Sequence, residues 1–239
     1  MEIDVFSTIN SATDDGLAGK VVLVVDTLRA TTTIATALEA GCLEIIPVLT
    51  PEEAIEMRER LEDDRVLLGG ERGGVKIPGF DLGNSPLEYT AEVVGGKRII
   101  MTTTNGTRAI KRAAPARVIF LAAVVNAPAV AAAAAEVEGD VSILCAGTRD
   151  RFSLEDFLTA GLLIDELRQR GNYSLRDGAR AALELYGLYK GDVAGIIRGS
   201  LHGRQLLELG FEADLDYSSR IGLLSTVPSY NGGLIKTYR

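Results

Sequence analysis

Val21-Val-Leu-Val-Val25, running straight into Asp26-Thr-Leu-Arg-Ala-Thr-Thr-Thr33 and then Ile34-Ala-Thr-Ala-Leu38, is the stretch on which the fold turns. An unbroken apolar run has no alternation, as expected of a strand covered on both faces. Such strands belong to parallel sheets flanked by helices, and Ile34 to Leu38 supply the helical spacing that follows. Asp26 ends the run. A carboxylate at that point gains nothing from the strand, so it is a ligand, a nucleophile or a helix N-cap.

Two other apolar runs end the same way. Lys97–Met101 opens into Thr102-Thr-Thr-Asn-Gly-Thr-Arg108, and Val141–Leu144 opens into Cys145-Ala-Gly-Thr-Arg-Asp-Arg-Phe-Ser-Leu-Glu-Asp156. Ligands of open α/β sheets sit beyond the carboxyl ends of the strands, so the three loops are expected to share one crevice. Ile3–Phe6, Leu43–Val48, Val66–Leu68 and Val118–Leu121 read as further strands. Pro51–Leu61 reads as a helix capped by Thr50, and Ala127–Val137 as an Ala-rich helix packed closely on the sheet. Ser85-Pro-Leu-Glu88 has the form of a capping box, and Ser153-Leu-Glu-Asp156 also looks like a helix start. From Leu154 the pattern becomes helical, which marks 154–223 as a candidate helical subdomain within a single domain spanning 1–239. A closing hairpin is expected from Leu224–Val227 and Leu234–Thr237 across Asn231-Gly-Gly233.

The chain has 239 residues, 46% hydrophobic and 24% charged, which is ordinary globular composition with enough length for a real core. Its net charge of −8 argues against nucleic acid and anionic membranes as partners. No apolar stretch is long enough to span a bilayer, and Met1-Glu-Ile-Asp lacks a basic leader, so a cytoplasmic protein is expected. Cys42 and Cys145 are the only cysteines and read as reduced, buried side chains. A homo-oligomer is compatible with all of this.

The chemistry concentrates in the loops. Asn105-Gly106 is expected to turn with φ > 0, so that neighbouring amides, Thr hydroxyls and the Arg108 guanidinium converge on one anion. The plain alternative is a polar strand-to-helix turn. Gly69 to Pro86 is long for a βα connection and dense in Gly, with Glu71, Arg72, Lys76, Asp81, Asn84 and Ser85 interspersed. Ile77, Phe80 and Leu82 favour an ordered segment there, and loops of that length are commonly functional.

Taken together, Val25–Thr33, Gly70-Glu-Arg72, Gly79-Phe-Asp-Leu-Gly-Asn-Ser-Pro86, Thr102–Thr107 and Cys145–Asp156 resemble the 2-phosphosulfolactate phosphatase family, the ComB proteins. The resemblance covers nearly the whole chain. It implies a three-layer α/β/α fold with a largely parallel or mixed sheet. It further implies a magnesium-dependent phosphatase that converts 2-phosphosulfolactate to sulfolactate and phosphate, of the kind used in coenzyme M biosynthesis. The family pattern has Gly near Asp150, and a Cys and an Asp where this chain reads Tyr217-Ser-Ser-Arg-Ile-Gly222. Those departures bear on the exact substrate more than on the reaction class.

Such a substrate carries phosphate, sulfonate and carboxylate, so several cationic groups are needed. Arg29 and Arg108 are the phosphate candidates, and Arg72, Lys76 and Arg149 the candidates for the other acids. Thr31, Thr32, Asn84, Ser85, Thr104, Asn105, Gly106, Thr107 and Thr148 are the remaining motif positions expected to bind substrate. Magnesium takes hard oxygen ligands, and Asp26, Glu71, Asp81, Glu155 and Asp156 are the acids inside the motifs. Asp26 either binds the ion or attacks phosphorus. Leu28 stands where aspartate-nucleophile phosphatases of the haloacid dehalogenase type carry a second Asp, so that scheme does not apply. Two other readings compete. Cys145 and Arg151 have the C-x5-R spacing of cysteine phosphatases, though Asp150 would put a carboxylate in the anion cradle. A non-catalytic binder of a phosphorylated or sulfonated acid is the second, disfavoured by the number of acids in the motifs.

Overall fold

The computed structural model describes residues 1–238. Its strands are β1 (Glu2–Phe6), β2 (Val21–Val25), β3 (Glu44–Pro47), β4 (Val66–Arg72), β5 (Val75–Lys76), β6 (Arg98–Thr102), β7 (Val118–Ala122), β8 (Val141–Cys145), β9 (Ser174–Leu175), β10 (Pro228–Asn231) and β11 (Leu234–Thr237). They form one mixed sheet in the order β5-β4-β6-β3-β11-β10-β7-β2-β8-β1-β9. Helices α1 (Asp14–Leu17), α2 (Ala30–Glu39), α3 (Pro51–Leu61), α4 (Ala91–Val94), α5 (Gly106–Arg112) and α6 (Ala127–Glu136) alternate with the strands. After them come α7 (Leu154–Arg168), α8 (Asp177–Tyr189), α9 (Val193–Gly199), α10 (Leu201–Glu208) and α11 (Glu212–Ser218). With helices on both sides of the sheet, this is a three-layer α/β/α architecture.

β2 shows why the apolar run has no alternation. It pairs in parallel with β7 on one side and β8 on the other. Val21, Leu23 and Val25 enter a core with residues of α6 and α7, while Val22 and Val24 enter a second core with Ile34, Ala37 and Leu38 of α2. Each such side chain, fully buried, contributes about 1.5–3 kcal/mol. Ile197, Leu206 and Leu215 of α9, α10 and α11 belong to the first of these cores, so the C-terminal helices pack on the same layer as α6 and α7. A third, smaller core lies under α3.

Two parallel blocks make up the sheet: β4, β6 and β3 on one side, β7, β2, β8, β1 and β9 on the other. The antiparallel hairpin β10–β11 joins them, pairing with β7 through Ser229 and with β3 through Ile235. Both blocks turn residues toward the core that holds α2 and α5. Strand ends from the two blocks thereby meet at one place. Among the described residues, no helix is long and apolar enough to cross a membrane.

Two local expectations need correction. The strand placed at Leu224–Val227 begins instead at Pro228, and the turn is the pair Gly232-Gly233 with φ of 57° and 88°. Leu224 is spent otherwise, its amide donating to the Val125 carbonyl as the chain crosses that segment. Ser85 does not close a capping box. Pro86–Glu88 is one 3-10 turn, the Ser85 hydroxyl donates to Asp214, and Glu88 accepts from the Gly83 amide. By contrast, Thr50 and Ser153 cap α3 and α7 as expected, accepting from the amides of Glu53 and Asp156.

Candidate active site

The loops after β2, β6 and β8 do share a crevice. One pocket is lined by Asp26, Leu28 and Arg29 after β2, by Thr103, Thr104 and Asn105 after β6, and by Thr148 and Arg149 after β8. Glu71 at the end of β4, Gly73, Gly74 and Asn84 complete that wall, and His202, Gln205 and Leu209 of the α10 segment face it.

Asp26 is 5% exposed. Its Oδ1 accepts only a long hydrogen bond, 3.4 Å, from the Ala30 amide at the start of α2. Burial is the main force pushing its pKa up to about 8, helped by the nearby charges of Glu71 and Glu155. The Ala30 amide and Arg29 pull the other way. Asp156 is also held well above the usual carboxylate range, by burial and then by Asp26 and Glu155, although it accepts from the Thr27 and Gly147 amides. Glu71 is fixed by the amides of Gly74 at 2.8 Å and Thr104 at 2.7 Å. Asp26, Glu71, Glu155 and Asp156 are all buried, and the one buried cation beside them, Arg29, is already paired with a fifth buried acid, Asp214. The charges of Glu71 and Glu155 raise the proton affinity of Asp26, and those of Asp26 and Glu155 raise that of Asp156, an effect that a cation among them would reverse.

Two further atoms point to the same need. Asn84 Oδ1 and Thr104 Oγ1 are buried without a hydrogen-bond partner in the protein, and both residues line this pocket. An unpartnered buried polar atom costs about 1–3 kcal/mol, so a ligand of the pocket is their natural partner. Among the described residues, no group of three Cys, His, Asp or Glu side chains can hold a metal ion by itself. A hard divalent ion that keeps its waters needs only one or two carboxylates, and Asp26 and Glu71 are the two in this pocket that could hold one. The donor set, carboxylate, amide and hydroxyl oxygens, fits such an ion.

Most of the Thr hydroxyls build the loops. Thr31 Oγ1 bonds to the Asp26 backbone, Thr32 Oγ1 to the Thr27 carbonyl and Thr107 Oγ1 to the Thr103 carbonyl. Asn105 accepts from the Arg149 amide, joining the β6 and β8 loops. Its neighbour Gly106 is not needed for a positive φ, contrary to the reading of the Asn-Gly pair: a Cβ there would lie 2.4 Å from Ala30 Cβ and 2.9 Å from Asp26 Oδ2. Glycine at 106 lets the start of α5 press against the start of α2.

Other expected residues fall outside the pocket. Arg108 is 43% exposed in its side chain and pairs with Asp150 at 3.0 Å. Asp81 accepts from the Leu68 amide and pairs with Arg58, fastening the 77–82 segment to the sheet. Lys76 is exposed on β5, its Nζ 3.5 Å from the Asp81 carbonyl. Arg72 spends its guanidinium on the Glu71 and Leu49 carbonyls and on Thr102. The cysteine reading also loses its basis. Cys145 is fully buried and its thiol is pushed well above 9.0 by burial and by Asp156 and Glu155, whereas a thiolate nucleophile needs a lowered pKa.

Sequence reasoning missed the opposite wall. His202 and Gln205 sit one helical turn apart on α10, 3.3 Å between His202 Nδ1 and Gln205 Oε1. Asp214 and Phe211 hold Arg29 from behind. Nothing local marks these residues as site residues: His202 reads only as the chain's one histidine, and Phe211 and Asp214 stand in the helix-rich C-terminal third with no motif around them.

The profile described as 2-phosphosulpholactate phosphatase matches residues 7–233. The chain belongs to this family. It places the chain among phosphoric monoester hydrolases. A relative from Symbiobacterium thermophilum, named a probable 2-phosphosulfolactate phosphatase, is 44% identical over 228 residues, covering 95% of this chain and 98% of its own. One from Caldanaerobacter subterraneus subsp. tengcongensis, with the same name, is 42% identical over 237 residues, covering 99% and 98%. A third, from Carboxydothermus hydrogenoformans, also so named, is 45% identical over 209 residues, covering 87% and 85%.

Proposed function

We propose that this protein hydrolyses the phosphate ester of 2-phosphosulfolactate with Mg²⁺ bound, releasing sulfolactate and phosphate. The observation that carries the reading is the pair of buried acids Asp26 and Glu71, beside Arg29, in the pocket where strand ends from both blocks meet, with Glu155 and Asp156 buried near Asp26. Family membership supplies the reaction class. These acids support the cation, because a polyanionic ester would otherwise enter a pocket lined by the Asp26 and Glu71 carboxylates.

Asp26 and Glu71 would hold the ion, with Asn84 Oδ1 and Thr104 Oγ1 as further oxygen partners for the ion, its waters or the substrate. When bound, magnesium neutralises phosphoryl charge and lowers the pKa of water. Arg29 is the residue that binds the phosphate oxygens, since a guanidinium offers paired donors to an oxyanion. Asp26 must act as the carboxylate, either on the ion or on phosphorus, and its proton is displaced once a cation is beside it.

A phosphate-release screen over phosphorylated two- and three-carbon acids, with magnesium and with excess EDTA, tests the proposal. 2-Phosphosulfolactate should be turned over best, chelation should abolish release and added Mg²⁺ should restore it. Full activity in excess EDTA would remove the ion from the mechanism. Trapping labelled phosphate on the chain separates attack by Asp26 from attack by water.

A further inference from the structure

Arg29 enters the pocket through a clamp whose parts come from distant stretches of the chain. Nη1 donates to Asp214 Oδ2 at 2.6 Å, Nη2 donates to the Gly74 carbonyl at 2.5 Å, and the guanidinium carbon lies 4.2 Å from the centroid of the Phe211 ring. The Arg29 and Asp214 side chains are 2% and 3% exposed. The second Asp214 oxygen is also used, accepting from the Ser85 hydroxyl at 2.6 Å. Ser85 follows Asn84, whose carbonyl accepts from Thr33 of α2 and whose Oδ1 is unpartnered in the pocket. One carboxylate on α11 therefore fixes two parts of the pocket wall.

Stability alone is a poor reason for this pair. The desolvation of a buried ion pair largely cancels its attraction, and apolar replacements are often as stable. Position is a better one. Arg29 lies close enough to Asp26 to lower its proton affinity, and Glu71 is close to Asp26 as well. A guanidinium left without Asp214 would be drawn onto those two carboxylates and lost to the substrate. Held by Asp214 and Gly74, it commits two of its five N–H groups and keeps the others for an oxyanion. The Phe211 ring covers one face of the fork, so it is confined to one plane.

The geometry points to Asp214 and Phe211 as positioning residues that aim Arg29 at the substrate phosphate, an inference that rests on the phosphate-site reading above. Inorganic phosphate is the probe, titrated into the full chain with magnesium and followed by ³¹P NMR, with circular dichroism to check folding. Asp214→Ala should weaken phosphate binding at least about tenfold, as loss of a directed charge-assisted contact does. In an Arg29→Ala background the same substitution should change affinity by less than about twofold, because residues acting through one group are not additive. Phe211→Leu keeps the apolar packing and removes the ring. It should weaken binding about threefold or more, again only while Arg29 is present, and it carries the test if Asp214→Ala does not fold.

Parent-like affinity in folded Asp214→Ala or in Phe211→Leu would overturn the clamp, as would an equal loss with Arg29 absent. A parent chain that binds no phosphate would sink the site reading and the clamp together. A parent that binds, with variants that bind equally well, would sink the clamp alone.

Discussion

Asp26 holds its proton where an ordinary aspartate has lost it. Burial, then Glu71 and Glu155, raise its pKa from 3.8 to about 8. For a group whose folded pKa is raised, the stability contribution is fully present below the unfolded value and is lost as pH climbs through the folded one. The metal-free protein should therefore melt at progressively lower temperature between about pH 4 and pH 8, and Asp26→Asn should flatten that fall and raise the melting temperature at pH 8. The same variant should lose at least about a hundredfold in kcat, the range for a directly acting group. Normal turnover with an unchanged pH slope would reduce Asp26 to a helix cap. Arg108 is a contrasting case. It is paired with Asp150 at the exposed rim, so Arg108→Ala should change kcat/KM by no more than about fivefold, the equivalent of about 1 kcal/mol for a surface pair. A loss of two orders of magnitude would show the side chain swinging inward on substrate. Asp26 and Arg29 were legible in the sequence because each interrupts a pattern, an acid closing an apolar strand and a cation in a Thr-rich loop. His202 and Asp214 interrupt nothing, and only the packing of α10 and α11 reveals their use.

At the scale of elements, the site depends on how closely two helix starts approach. The turn into α2 brings Asp26 and Arg29 and the turn into α5 brings Thr103–Asn105, with Gly106 at the contact of the two helix starts. Gly106→Ala offers a test in which two effects compete. Alanine improves helix propensity by up to about 1 kcal/mol. Against that, its Cβ would stand 2.4 Å from Ala30 Cβ and 2.9 Å from Asp26 Oδ2, an overpacking that costs about 1–3 kcal/mol. Overpacking should win, with a lower urea midpoint and reduced kcat/KM together, since the clash falls on the loop that carries Asp26. A stabilised, fully active variant would mean that the two helices separate freely. The Asn-Gly pair was legible as a special position but for the wrong reason, because a sequence shows which residue lacks a Cβ and not what presses on it. Misplacing the strand at Leu224–Val227 has a similar cause. That segment crosses the Val124–Asn126 turn, its Leu224 amide donating to the Val125 carbonyl and its Thr226 carbonyl accepting from Asn126, and four residues of sequence do not separate such a covering loop from a strand.

Across the whole molecule, the hairpin β10–β11 is the joint on which the site depends. It is the last piece of sheet in the chain, yet it sits between the two parallel blocks and is the part of the sheet that links them. The βαβ alternation made each block legible, whereas joining them through the C-terminus is a non-local pairing with no mark in the sequence. Asp26 comes from one block and Glu71 from the other, so the acid cluster exists only while the blocks are held together. Ile235 is fully buried at the joint and pairs with Ile45 of β3. Ile235→Ala should lower stability by about 2–5 kcal/mol, the range for a large-to-small core change. If the blocks and the C-terminal helices form one cooperative unit, the loss will appear as a shifted single transition in urea, with far-UV circular dichroism and tyrosine fluorescence coinciding. α10 and α11 share a core with β2, which favours that outcome over a separately melting helical subdomain. Two resolved transitions, with only the earlier one moved by Ile235→Ala, would instead divide the chain into units. In that case phosphate binding should vanish with the earlier transition, because neither block alone holds both Asp26 and Glu71.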